Sequence, residues 1–371
     1  MLTFDFICLL TLIAFTVISA IQLFYYLCIF IRVPFYKNKT DDYQNEAVSI
    51  VVCARNEANN LENYLPLLLE QDYPDFEVVV VNDCSEDETE DVLKRLKIKY
   101  PHLKTTFIKE DEKFSHGKKL ALTVGIKAAK NEWLLLTDAD CFPENNQWLK
   151  TMARNFKTDT SIVLGYGGFT QESGFLNKLI RYDAAIIALQ YFSLALIGKP
   201  YMGVGRNLAY RKSLFFANKG FASHARLTSG DDDLFINETA TSKNVRIEPF
   251  AHTRSKAKQT LNHWVEQKTR HFTTFGYYKN IHKIILGTEI FSRVLFYFLF
   301  IALLILQKFW IAGVSIFLFR LICQMIIFKI TYNRLNEKKL FLISPMFDLI
   351  LPFINLGIYV SGRIRPRKQW R

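Results

Sequence analysis

The chain has 371 residues, half of them hydrophobic, and a formal net charge of +12. Nucleic acid and an anionic membrane surface both suit such an excess. No helix-turn-helix, zinc-finger spacing or aromatic RNA-binding motif accompanies it, and much of the basic charge flanks apolar runs, so nucleic acid is excluded and membrane lipid is the expected partner. The six cysteines form no CxxC pair, which excludes a disulfide framework and points to a reduced, cytosol-facing protein.

Taken in chain order, Phe6 to Ile31 contains no charged residue and is long enough to cross a ~30 Å hydrocarbon core. Asp5 and the lack of a small-residue cleavage site make it an uncleaved anchor. Arg32, Lys37 and Lys39 follow at once and place the downstream side in the cytoplasm. Residues 1–45 are therefore read as anchor and linker.

Residues 46–283 alternate short apolar runs with amphipathic helices. Strands are predicted at Val48–Cys53, Phe76–Val81, Thr106–Ile108 and Trp133–Leu136. Helices are predicted at Asn59–Glu70, Asp87–Lys99 and Leu120–Ala129. This alternation implies a parallel sheet covered on both faces. Neither a GxxxxGK[ST] nor a GxGxxG loop follows the first strand, and Gly203-Val-Gly205 comes late, after no βαβ unit. Any nucleotide is then held by carboxylates, a metal and strand-end loops.

The stretch Leu134-Leu-Leu-Thr-Asp138-Ala-Asp140 ends an aliphatic strand on two acids. Residues i and i+2 of an extended segment point the same way, so both carboxylates can face one ligand at the strand's carboxyl end. Mg²⁺ or Mn²⁺ is held in this manner, with diphosphate oxygens completing its shell; a loop with two solvated acids is the alternative. Ile186 to Ile197 is apolar, too short to span, and reads equally as an interfacial helix or a core helix. Further on, Trp264, Gln267, Arg270 and His271 share one face of a helix by their spacing.

Residues 284–371 return to the membrane pattern. Phe291–Leu306 and Phe309–Phe328 are each interrupted by one arginine, Arg293 and Arg320, and are joined by Gln307-Lys308 as a tight hairpin. Leu340–Val360 contains Pro345, Asp348, Pro352 and Asn355. Basic residues flank it in Lys329–Lys339 and in the tail Arg363–Arg371, so a re-entrant or interfacial element broken near Pro352 is expected rather than a clean span.

Six ordered motifs carry a resemblance. Val48–Glu57 with its Asn-Glu ending, Val81-Asn-Asp83-Cys-Ser85, His116-Gly-Lys118-Lys-Leu-Ala-Leu122, Asp138-Ala-Asp140, Thr228-Ser-Gly-Asp231-Asp-Asp-Leu234 and Gln267-Lys-Thr-Arg270-His271 together resemble family 2 glycosyltransferases. These are inverting enzymes with a GT-A nucleotide-sugar fold, and the membrane-embedded branch looks most similar. The resemblance covers about Ala47 to Tyr278. It departs from the family at Asn82, where an acid is usual, at Gly230, where many relatives carry Glu, and at His271, where tryptophan is usual.

The resemblance implies roles. Asp83 would accept a hydrogen bond from uracil, although an Asx turn or helix N-cap is its alternative use. Ala54, Arg55 and Glu57 would line the same pocket, and Lys118 or Lys119 would approach the nucleotide or its phosphates. Asp140 would be the main metal ligand, with Asp138 partnering sugar, ribose or metal. Asp231 would be the base, with Asp232 the alternative in a run of three acids. Arg270 and Gln267 would grip the diphosphate beside His271. Trp264 would stack on acceptor or sugar unless it packs in the core, and Arg206 and Asn207 would line the acceptor path.

The expected protein is a multi-pass enzyme of the inner or plasma membrane, an inverting hexosyltransferase with a cytosolic catalytic domain. With Mg²⁺ or Mn²⁺ it would move a sugar from a UDP-sugar to a lipid-linked or polysaccharide acceptor, by single addition. The alternatives are a catalytically inactive membrane carbohydrate-binding or scaffold subunit and a nucleotidyltransferase on a related fold. No partner subunit is readable.

Overall fold

The computed structural model describes residues 2–37, 45–109 and 117–364. Lys39, His116 and residues 365–371 of the basic tail lie outside the described residues. The chain begins with α1 (Leu2–Phe24), then β1 (Val48–Ala54), α2 (Ala58–Leu69), β2 (Phe76–Asp83), α3 (Thr89–Lys99) and β3 (Leu103–Ile108). It continues with α4 (Lys118–Ala128), β4 (Trp133–Asp138), β5 (Cys141–Pro143), α5 (Trp148–Ala153), β6 (Ile162–Phe169), α6 (Phe175–Leu196) and β7 (Leu208–Arg211). Next come α7 (Lys212–Ala217), α8 (Asp233–Thr239), β8 (Val245–Ser255) and α9 (Leu261–Phe275), followed by α10 (Asn280–Leu306), α11 (Trp310–Arg334) and α12 (Ser344–Ile364). Two compact units result: Lys37–Tyr277, and the stretch up to Tyr36 taken with the stretch from Tyr278.

In the Lys37–Tyr277 unit one sheet runs β3-β2-β1-β4-β7-β6-β8-β5. The first four of these strands are parallel, as their alternation with helices implies. The remainder is mixed, because β7 is antiparallel to β4 and β6 while β5 is antiparallel to β8. Runs such as Val78–Val81 are buried from both sides, so they read as continuous apolar stretches rather than alternating ones. One sheet face buries Ile50, Val52, Val80 and Leu135 under α2, α3 and α5. On the other face α4 lies close, because a Cβ on Gly125 would come within 2.7 Å of Val51 Cγ1.

The order reverses at β1, which has β2 on one side and β4 on the other. Open α/β sheets bind ligands at the carboxyl ends beside such a reversal. Cys53 is level with Asp138 and Ala54 with Asn82, so three strand ends finish together there. The helix expected at Ile186–Ile197 is longer than its apolar core suggested, since α6 spans 22 residues. Its buried residues include Arg181, Asp183 and Tyr191, and it packs on β6 and β8, which favours the core reading.

In the other unit the arginines that interrupt the apolar runs meet the acid that interrupts the last one. Arg320 donates from Nη1 and Nη2 to Asp348 Oδ2 at 3.0 Å, and Arg293 reaches Asp348 Oδ1 at 3.3 Å and Glu289 Oε2 at 2.5 Å. From α1, Gln22 Oε1 accepts from Arg320 at 2.8 Å, while Tyr297 donates to Asp348 at 2.7 Å. All four charged residues are buried. Charges in such surroundings persist by pairing, so the pattern explains why these apolar segments tolerate them.

The break expected near Pro352 is not present: α12 continues from Ser344 to Ile364 through it. Proline removes one amide from the helical ladder, and neighbouring helices can absorb that loss. Among the described residues five helices are long and apolar enough to cross a membrane, α6 included by length and composition alone. Asp348→Ala is expected to destabilise this unit by about 3–5 kcal/mol, the cost of stranding two buried guanidinium groups. Thermal unfolding of the detergent-purified chain measures it, and an unchanged midpoint would contradict the pairing argument.

Candidate active site

The loops after β1 and β2 are tied to each other. Asn56, in the left-handed region at φ 55°, accepts from the Glu86 amide at 2.8 Å and donates its own amide to Ser85 Oγ at 3.0 Å. The turn after β2 is closed by Asn82, whose Oδ1 accepts from the Ser85 amide at 3.2 Å. Asp87 binds the Thr89 amide at 3.1 Å at the start of α3. The turn considered for Asp83 is thus closed by Asn82, and Asp83 is a fully buried acid at the end of β2. Ala54 is a correction: its methyl belongs to the hydrophobic core, so only its backbone is available to a ligand. Arg55 is half-buried beside it.

Asp138 and Asp140 come together by a different route from the one expected. Asp138 ends β4, and Asp140 sits in the turn before β5 rather than on a continuing strand. Even so, ligand atoms of Asp138, Asp140 and Cys141 lie within 4.8 Å of one another. Burial and then the charge of Asp138 raise the Asp140 carboxyl above its ordinary range. Glu57 is raised in the same way, by burial first and then by Asp140 and Asp138, against the hydrogen bond from Asn60. Three mutually repelling carboxylates favour a cation.

Two of them, with oxygens only, suit a hard ion such as Mg²⁺ or Mn²⁺. Burial and then the charge of Asp140 raise the Cys141 thiol well above its ordinary range, and its soft sulfur suits Mg²⁺ or Mn²⁺ less than the two oxygen donors do.

Lys118, the first residue of α4, bridges two motifs. Its Nζ lies 2.7 Å from Asp138 Oδ1 and 3.3 Å from Asp231 Oδ2. A small cavity lies between them, lined by Lys118, Thr137, Asp138, Gly205, Asp231 and Asp232. Lys119 points elsewhere, to the backbone carbonyls of His224 and Leu227 at 2.6 and 2.9 Å. The two lysines left open by the sequence are thereby separated.

The three acids have three environments. Burial opposes ionisation of Asp231, but Lys118 outweighs it and holds this carboxyl below the usual range. Asp232 is pushed up to about 7, by burial and then by Asp231 and Asp233. Its oxygens accept from the Gly205 amide at 2.8 Å and the Asp233 amide at 2.7 Å, so it caps α8. Asp233 is buried and accepts from Thr274 Oγ1 of α9.

Gly230 has φ +102°, and a Cβ there would come within 2.6 Å of Leu234 Cδ1, so a glutamate does not fit this backbone. Gly230→Ala is expected to cost about 1–3 kcal/mol through this strain. Denaturant unfolding checks it, and a loss below 0.5 kcal/mol, roughly the size of an ordinary surface change, would contradict it.

Helix α9 is fastened on its inner side by a Lys268–Asp183 ion pair at 2.9 Å. Of the two uses open to Trp264, stacking and core packing, the structure favours the core: it is fully buried, on the same amphipathic face that carries Lys268. Gln267 and Arg270 are half-buried, and His271 is exposed. Arg270 Nε is buried with no hydrogen-bond partner among the described residues, leaving a donor available to an anion.

Asn207 is the second correction. It is fully buried and structural, accepting from Trp148 Nε1 at 3.1 Å and donating to the carbonyls of Tyr166 and Ala251 at 3.0 and 2.7 Å. Arg206 is half-buried, stacks on Phe169 at 4.1 Å, donates to the Gly168 carbonyl at 3.2 Å, and its charge opposes the rise of Asp140. Sequence reasoning missed Thr274 and Asp183, which hold Asp233 and α9; single polar residues buried by tertiary contacts give no local signal.

Residues 49–216 match a family model described as glycosyl transferase family 2. Poly-beta-1,6-N-acetyl-D-glucosamine synthase of Staphylococcus epidermidis is 27% identical over 151 residues, 40% of this chain and 35% of that protein. Glycosyltransferase AglE of Haloferax volcanii is 31% identical over 140 residues, 37% of this chain and 44% of that protein. The chain thus spans less than half the length of these curated relatives. The solved mannosyltransferase PcManGT from Pyrobaculum calidifontis, in complex with GDP-Man and Mn2+, aligns over 96% of this chain and 99% of its own with a TM-score of 0.62. At 18% identity that likeness concerns the fold, which is GT-A.

Proposed function

We propose that the glycosyltransferase family 2 domain of this chain is a metal-dependent, inverting hexosyltransferase held at a membrane, moving a sugar from a UDP-sugar to a lipid-linked or polysaccharide acceptor. The observation that carries this reading is the meeting of Asp138, Asp140, Lys118 and Asp231 at the carboxyl ends of β1 and β4. Asp138 and Asp140 would hold Mg²⁺ or Mn²⁺, which when bound would neutralise the departing diphosphate.

Asp231 takes the proton of the acceptor hydroxyl through a carboxylate oxygen. The freed oxygen attacks the anomeric carbon as its bond to the diphosphate oxygen breaks, which inverts that centre. Arg270 grips the diphosphate through several donors. Asp83 offers an acceptor to the uracil N–H. Retention of these acids together disfavours the inactive scaffold, and Ala54-Arg-Asn-Glu57 lacks the glycine-rich loop of nucleotidyltransferases.

Orientation follows from charge. The Lys308–Asp5 ion pair at 2.5 Å sets α1 antiparallel to α10, and Arg334 reaches the Tyr36 carbonyl at 2.5 Å. Arg32, Lys283, Lys329, Arg334 and Lys338 then gather at one end of the helical unit. The cytoplasm is the expected side for that end, and with it the segment that departs after Tyr36 and returns at Tyr278.

Calorimetry with UDP and GDP in the presence of Mn²⁺ tests the donor class. UDP is expected to bind more tightly, and Asp83→Ala is expected to weaken UDP by about tenfold, the worth of one hydrogen bond to a charged group. A preference for GDP, or an unaffected Asp83→Ala variant, would overturn the uracil assignment.

A further inference from the structure

We propose that Lys119 is a positioning residue for the base: it fixes the loop that carries Asp231, and so governs the acceptor step without governing donor binding. This inference rests on the transferase reading of the same site. Lys118 and Lys119 are neighbours on one helix, about 100° apart around its axis, so their side chains must leave in different directions. Lys118 goes to the carboxylates of Asp138 and Asp231. Lys119 goes to two carbonyls of the acid loop, His224 at 2.6 Å and Leu227 at 2.9 Å, and takes no part in lining the cavity.

The loop needs such an anchor. After the short helical turn Ala222–His224 no regular structure forms until α8 begins at Asp233. Ala225, Arg226 and Thr228 are exposed, and one backbone bond, Leu227 amide to His224 carbonyl at 3.1 Å, is what the turn supplies itself. Lys119 binds both carbonyls of that turn with charge-assisted bonds, the stronger kind. Downstream, Asp232 is fixed by the Gly205 amide and Asp233 by Thr274. Upstream, Ser223 Oγ holds Glu238 Oε1 of α8 at 2.7 Å. Lys118 meets the Asp231 carboxylate itself, while the loop that carries Asp231 is held between Lys119 on α4 and anchors on two other segments; releasing Lys119 lets that loop, and the carboxylate with it, shift from the attacking hydroxyl.

The test compares Lys119→Met, which keeps the stem and removes the charge, with Lys119→Arg, which keeps donors for the carbonyls, in the full chain in detergent. Lys119→Met is expected to lower kcat for sugar transfer by about 10²-fold, the cost of an ångström of misplacement. KM for the nucleotide sugar and UDP binding with Mn²⁺ should stay within about threefold, and Lys119→Arg should recover most of kcat. Unchanged kcat in Lys119→Met, or parallel loss of kcat and UDP binding, would overturn the proposal. Should the wild type transfer nothing from any nucleotide sugar, the transferase reading fails, and amide hydrogen exchange of residues 225–231 decides the anchor. Faster exchange in Lys119→Met confined to this loop supports it, and unchanged exchange overturns it.

Discussion

Asp231→Asn is expected to lower sugar transfer by about 10²–10⁴-fold, the usual contribution of a positioned base, while leaving UDP binding intact. The amide keeps the shape and the contact with Lys118 but cannot take a proton. The pH profile separates Asp231 from its neighbour. Lys118 holds the Asp231 carboxyl below the usual range, so the base is already ionised at neutral pH and activity should fall only as the pH drops below that range. Asp232 sits at about 7, and a base there would place the acid limb of kcat near neutrality. An acid limb near pH 7 that vanishes in Asp232→Asn would move the role to Asp232. Its two amide contacts argue for a structural role instead, since they already occupy both oxygens.

The second large effect belongs to Asp140. Asp140→Asn is expected to reduce turnover by about 10³-fold, equivalent to several kcal/mol of charge stabilisation at the departing diphosphate. Mn²⁺ binding followed by electron paramagnetic resonance should weaken in parallel. Physical reasoning ties the two: the Asp140 carboxyl is raised by burial and by Asp138, so this pair is short of positive charge, and Lys118 contacts only the Asp138 member. Normal Mn²⁺ affinity in Asp140→Asn would leave the ion to other ligands, Glu57 being a candidate by its own response to both acids.

The parallel half of the sheet was readable because its strands are short apolar runs punctuated by amphipathic helices. β2 and β4 extend two residues beyond the predicted ends, onto Asp83 and Asp138, and β1 extends one, onto Ala54. The mixed half was not readable. β6 contains Gly165, Gly167 and Gly168, and β8 mixes charged residues with Pro249, so neither carries an apolar period.

Asp138 and Asp140 were found from their spacing, though a turn and not an extended strand joins them. Which of Lys118 and Lys119 meets the acids could not be read, since that depends on where α4 starts. Asn207 looks like a ligand-binding residue in isolation, and burial by distant segments made it structural, while Trp264 takes its core alternative. Arg293, Arg320 and Asp348 were visible as interruptions, but their pairing joins residues 28 and 55 positions apart and required the helices to be packed.

The central claim is that these strand-end acids run a metal-dependent transfer of sugar from a nucleotide. The most direct measurement uses detergent-purified protein, a panel of radiolabelled nucleotide sugars, and membrane lipid extract, with Mn²⁺ or with chelator. The account predicts metal-dependent release of UDP from one UDP-sugar, label moving into lipid or polymer, and loss of both in Asp231→Asn. Release and label transfer that persist in chelator or in Asp231→Asn, or silence across the panel together with no UDP binding, would contradict it.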